Sequence, residues 1–80
     1  MKKILVTGAA GQIGSELTMA LREKFGNENV IATGHKKEPD ETLRCSGPFH
    51  FIDCSEINTV AEIVKKYRVG TIYHLAALLS

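Results

Sequence analysis

Gly8, Gly11 and Gly14 stand three residues apart in Thr7-Gly8-Ala9-Ala10-Gly11-Gln12-Ile13-Gly14, between an apolar run and a helical pattern. Glycines so placed act through the backbone. Gly8 lets the chain turn tightly, Gly11 lets a pyrophosphate approach the main chain, and Gly14 lets the helix pack closely on the preceding strand. A helix that starts here offers unpaired N–H groups and a partial positive charge of about half an electron, so a diphosphate is stabilised without a lysine. No Gly-Lys-Ser or Gly-Lys-Thr follows, which argues against a P-loop hydrolase. The plain alternative is a glycine-rich turn with no ligand. The flanking strand and helix, which the phosphate-binding fingerprint requires, favour the first reading.

Other residues with chemical potential are scattered. His35, His50, His74, Cys45 and Cys54 include no CxxC pair, and none of the five lies on either predicted helix, so no metal site is expected. His74 ends a strand and reads as a hydrogen-bonded structural residue. A Tyr-x-x-x-Lys pair, in which a lysine and a cofactor activate a tyrosine as general base, is absent: Tyr67 is followed four residues on by Thr71 and Tyr73 by Ala77.

The elements that must position the glycines follow from apolar periodicity. Ile4, Leu5 and Val6 form a continuous run, which predicts a strand over 3–7 buried on both faces. From Gln12 onward Ile13, Leu17, Ala20, Leu21 and Phe25 recur three or four apart, with Glu16, Arg22, Glu23 and Lys24 as polar positions. That predicts a helix stopped by Gly26. Val30, Ile31 and Ala32 read as a second strand and 49–52 as a third, while 34–48 shows little periodicity and is expected to have no structure of its own. Ser55 can cap a second helix with the apolar face Ile57, Val60, Ala61, Val64 and Tyr67, and 71–75 forms a fourth strand. The expected fold class is α/β, the N-terminal part of a doubly wound, Rossmann-like parallel sheet: βαββαβ, strand order 3-2-1-4, one helix on each face. The fourth strand is an exposed edge, and the chain reads as the front part of a larger domain.

Composition sets outer limits. The 80 residues allow one domain, and 44% hydrophobic with 24% charged residues is the balance of an ordinary globular chain. A formal charge of +1 provides no basic field for nucleic acid or anionic lipid. The apolar run before Gly8 is too short for a signal peptide or a membrane span, and two loosely spaced cysteines suit a reducing, cytoplasmic setting.

The TGxxGxxG loop at the first strand-helix turn resembles that of the extended short-chain dehydrogenase/reductase superfamily. Within it, Lys3-Ile4-Leu5-Val6, Gly11-Gln12-Ile13-Gly14-Ser15-Glu16-Leu17, Gly26-Asn27-Glu28-Asn29-Val30-Ile31-Ala32, Ser46-Gly47-Pro48-Phe49 and Ile72-Tyr73-His74-Leu75-Ala76-Ala77-Leu78-Leu79-Ser80 look like the short-chain-type L-threonine 3-dehydrogenases. The resemblance covers nearly the whole chain except 36–45. It implies an enzyme in which NAD accepts a hydride from the threonine β-carbon to give 2-amino-3-oxobutanoate. Gly8, Gly11 and Gly14 would form the cofactor loop, with Gln12 and Ile13 presenting main-chain donors. Asp53 would lie beside the adenine, Leu75, Ala76 and Ala77 would line the adenine and ribose, and Ser80 matches a serine near the substrate's polar groups. Core packing is the competing role for Leu75, Ala76 and Ala77, and a solvated chain position for Asp53 and Ser80.

Two departures qualify what the resemblance implies. An NAD-binding fold usually has an acid roughly 20 residues beyond the glycines, for the ribose 2'-hydroxyl, whereas here Thr33-Gly34-His35-Lys36-Lys37 fills that place. NADP therefore stays open, with Lys36 or Lys37 facing the 2'-phosphate. The catalytic pair would lie beyond residue 80. A nucleotide-sugar epimerase or dehydratase shares the glycine loop and is a second reading. A third is a standalone dinucleotide-binding or interaction module that self-associates through its fourth-strand edge.

Overall fold

The computed structural model describes residues 2–34, 38–52 and 57–75. Its elements are β1 (Lys3–Thr7), α1 (Gln12–Phe25), a 3-10 turn (Asn27–Asn29), β2 (Val30–Gly34), α2 (Glu41–Ser46), β3 (Phe49–Phe51), α3 (Ile57–Tyr67) and β4 (Val69–His74). The strands form one parallel sheet in the order β3-β2-β1-β4. Strand order and the two main helices agree with the sequence reading.

Each β1 and β2 residue alternates between two apolar layers, which is why these strands read as unbroken hydrophobic runs. Ile4, Val6, Val30 and Ala32 join Leu21 and Leu43 on one face, with Leu17, Phe25 and Phe49 packed against them. Leu5 and Ile31 join Ile52 and Ile63 on the other, with Val60, Val64 and Tyr67. The first layer lies under α1 and α2, the second under α3.

The connection 34–48 corrects the βαββαβ expectation, because α2 makes the order βαβαβαβ. The single buried residue of α2, Leu43, gives no periodicity to read. The helix is held by capping and by one long-range side chain. Asp40 accepts from the Leu43 amide at 2.9 Å as N-cap.

That side chain is Arg22, only 1% exposed and buried between α1, β2 and α2. All five of its N–H donors are used. Nε donates to the Val30 carbonyl (3.2 Å), one terminal nitrogen to the Leu43 carbonyl (2.7 Å) and Ser46 Oγ (2.9 Å), and the other to the Val30 (3.1 Å) and Pro48 (2.6 Å) carbonyls. Sequence periodicity placed Arg22 among solvent-facing positions, and burial instead pulls its pKa below the usual guanidinium value. Among the described residues the cation is shared by carbonyl dipoles and a hydroxyl rather than paired with a carboxylate.

Two strand boundaries also shift. β3 ends at Phe51, with Ile52 just beyond it. β4 begins at Val69, because Arg68 at φ 55° makes the turn after α3 and leaves Gly70 within the strand. The capping role expected of Ser55 falls outside the described residues.

Candidate functional site

β1 delivers the chain to the turn at Thr7, itself 1% exposed, and the backbone then bends at Gly8 with φ 70°. A left-handed conformation of this kind favours a residue without Cβ. The Ala9 amide donates to the Thr33 carbonyl at 2.9 Å, which ties the loop to the end of β2. The Gly11 amide donates back to the Gly8 carbonyl at 3.3 Å. Gly11 then serves as N-cap of α1 in extended conformation, with no side-chain cap.

The first intrahelical bond runs from the Ser15 amide to the Gly11 carbonyl at 2.8 Å. The amides of Gln12, Ile13 and Gly14 therefore precede the hydrogen-bonded ladder, and none has an acceptor among the described residues. The first turn also carries no acidic residue, so no carboxylate of the helix itself competes for that positive end. Three donors with no competing anion can hold one diphosphate.

Gly14 is required by contact rather than by backbone angle. A Cβ there would lie 2.1 Å from the Gly8 carbonyl oxygen and 2.9 Å from Ala9 Cα, so the helix start rests directly on the loop. The Gly14 carbonyl accepts from the buried Thr18 hydroxyl at 2.7 Å. Gln12 and Ile13 both face solvent, Ile13 with 63% of its surface exposed.

Of the other residues expected at the site, Leu75 is the one the structure describes. Its amide donates to the Thr7 carbonyl at 3.2 Å and its side chain packs against the α1-side layer. Asp53, Ala76, Ala77 and Ser80 lie outside the described residues, as do Lys36 and Lys37. The loop and Leu75 thus meet at the carboxyl ends of the neighbouring strands β1 and β4, between which the strand order reverses. In open α/β sheets that switch point is where ligands bind.

Two further side-chain hydrogen bonds had no signal in spacing. Thr7 Oγ1 and His74 Nδ1 are 2.7 Å apart across the β1–β4 pair, so His74 is hydrogen-bonded as its strand-end position suggested. His50 Nε2 and the Tyr67 hydroxyl are 2.7 Å apart between β3 and α3, beside an open groove lined by Phe51, Glu62, Ile63 and Lys66. Among the described residues no group of three potential metal ligands comes together, and no helix is long and apolar enough to cross a membrane.

Comparison with known proteins agrees with this geometry. The chain is 50% identical to L-threonine dehydrogenase from Clostridium difficile, whose crystal structure superposes with a TM-score of 0.84 over 92% of this chain and 23% of that one. A GalE-like L-threonine dehydrogenase from Cupriavidus necator in its holo form is 32% identical, with a TM-score of 0.81 over 91% of this chain and 23% of its own. A protein of Staphylococcus epidermidis named an uncharacterized epimerase/dehydratase is 47% identical over all of this chain and 25% of its own length. The chain therefore spans about a quarter of the length of the relatives it matches. Residues 4–80 match the model of the NAD dependent epimerase/dehydratase family, and the chain belongs to that family.

Proposed function

We propose that this chain is the dinucleotide-binding part of an NAD-dependent enzyme that oxidises L-threonine. The observation that carries the reading is the set of three amides at Gln12, Ile13 and Gly14 that have no acceptor among the described residues, in a chain half identical to a threonine dehydrogenase. The group fits the residues present: Gly8 makes the turn, Gly11 leaves the backbone approachable, and the amides of Gln12, Ile13 and Gly14 receive the diphosphate oxygens. Asp53 then lies toward the adenine, and Leu75, Ala76 and Ala77 border the adenosine. Ser80 approaches the substrate's polar groups, the small-molecule amino acid being bound chiefly by chain outside these residues. Bound NAD would supply the hydride acceptor for oxidation of the threonine β-hydroxyl to a ketone. The present residues bind and orient the cofactor, and the proton is removed elsewhere in the intact enzyme. A cytoplasmic setting accompanies the reading.

The family's breadth and the epimerase/dehydratase name carried by the Staphylococcus epidermidis relative favour a second reading, in which the same loop serves an enzyme acting on nucleotide sugars. In the standalone alternative the chain binds dinucleotide and pairs with a second copy through β4.

Titration with NAD and NADP is expected to give saturable binding, stronger for NAD. A clear preference for NADP would reject that cofactor choice, and silence toward millimolar amounts of both would reject the binding reading. In the intact gene product, L-threonine should drive NAD reduction. Turnover of a nucleotide sugar with no response to threonine would establish the second reading instead.

A further inference from the structure

Thr7 is the last residue of β1 before the glycine turn, and His74 is its register partner at the end of β4. The Thr7 hydroxyl, on a side chain 1% exposed, lies 2.7 Å from His74 Nδ1, while the Thr7 carbonyl accepts from the Leu75 amide at 3.2 Å. β4 thus grips Thr7 through its side chain and its backbone together. The next residue, Gly8, holds φ 70°, and its carbonyl oxygen both accepts from the Gly11 amide and forms the surface on which Gly14 rests. Any displacement of Thr7 passes directly into the carbonyl that seats the start of α1. The amides of Gln12 and Ile13 would move with it.

We infer that His74 is a positioning residue for the anion-binding loop, acting through the Thr7 hydroxyl to preset the turn that aims the Gln12, Ile13 and Gly14 amides. A short hydrogen bond on the buried hydroxyl leaves Thr7 one side-chain orientation. Preorganised donors bind an anion without the cost of ordering the loop at the moment of binding. The inference rests on the dinucleotide reading and adds to it a control exerted from the neighbouring strand.

The test uses three probes, adenosine, ADP and NAD, on the wild-type chain and on Thr7→Val, Thr7→Ser, His74→Leu and the Thr7→Val/His74→Leu double variant. Thr7→Val should weaken ADP and NAD binding about tenfold, equivalent to about 1.4 kcal/mol, and leave adenosine unchanged, because only the phosphates meet the loop. Thr7→Ser, which keeps the hydroxyl, should restore affinity. His74→Leu changes an exposed residue, removes the same bond should Thr7→Val fail to fold, and should weaken the same two probes. The double variant should be no worse than either single one, since both remove one interaction. Equal ADP affinity in His74→Leu and wild type, equal losses for adenosine and ADP, or additive losses in the double variant would each overturn the inference. A wild-type chain that binds none of the three probes would overturn the underlying dinucleotide reading, and this inference with it.

Discussion

The connections that leave β1 and β2 are built on opposite principles. The turn from β1 into α1 is held by backbone: a left-handed Gly8, amides of Ala9 and Gly11 bonded to carbonyls, and a Gly14 with no room for a Cβ. The passage from β2 through α2 to β3 is held by a side chain, Arg22, whose five donors meet three carbonyls and a hydroxyl. Close backbone contact leaves amides without an acceptor among the described residues, and a clamp of side chain on carbonyl consumes every donor it brings. Only the first arrangement leaves anything for a ligand.

The largest expected effect breaks the second connection. Arg22→Met keeps most of the buried volume but leaves the Val30 carbonyl without its donors, at a cost of about 1–3 kcal/mol before relaxation, and takes a charged donor from the Leu43 and Pro48 carbonyls, which keep Ser46 Oγ and the Ala32 amide. A total loss of about 3 kcal/mol or more is expected in denaturant unfolding, with α2 amides losing hydrogen-exchange protection first. Arg22→Lys retains the charge but not the fork, and should fall between. ADP affinity in whatever fraction stays folded should be near wild type. An Arg22→Met chain as stable as wild type would mean that the clamp is dispensable.

The same contrast explains what could be read from sequence. The glycine loop was legible because its spacing, the apolar run before it and the helical period after it are all local. Sheet order followed from alternation and handedness. α2 was not legible, because a six-residue helix with one buried apolar residue has no period and depends on a residue about twenty positions earlier. Arg22 itself was hidden by its type, since an arginine on a predicted helix is ordinarily solvated. The start of β4 was missed for a similar reason: Gly70 looked like a terminator, whereas Arg68 makes the turn and Gly70 lies where a Cβ would be 2.7 Å from the Lys2 side chain.

A smaller effect breaks the first connection. Gly14→Ala sets a methyl against the Gly8 carbonyl, and α1 must slide off the loop to accept it. Overpacking of this kind costs about 1–3 kcal/mol. Binding should suffer more than stability, because the shift separates the amide donors from the turn that presents them. Isothermal titration with NAD should show at least a tenfold loss of affinity at temperatures where the variant remains folded. Tight binding by Gly14→Ala would show that helix and loop can move apart without disturbing the anion site.

The smallest effect sharpens the comparison on the opposite face, where a side-chain contact, His50 to Tyr67, joins the short edge strand β3 to α3. Burial, and then the charge of Lys66, push the His50 pKa below its ordinary value. The unfolded chain therefore takes up a proton that the native chain resists as pH falls through the ordinary histidine range near about 6.5. Stability from neutral His50 is fully present above that range. It declines as pH falls through it and levels off below the depressed native value. The imidazole is partly exposed, so the change in unfolding free energy should be slight, and an NMR titration of the ring is the better measurement. Its midpoint should lie below that of a free imidazole. Lys66→Gln should raise the midpoint part of the way and leave the remainder, which comes from burial. A midpoint at the ordinary value, or one that Lys66→Gln returns there entirely, would mean that β3 and α3 do not shield the ring and that the edge strand owes little to this contact.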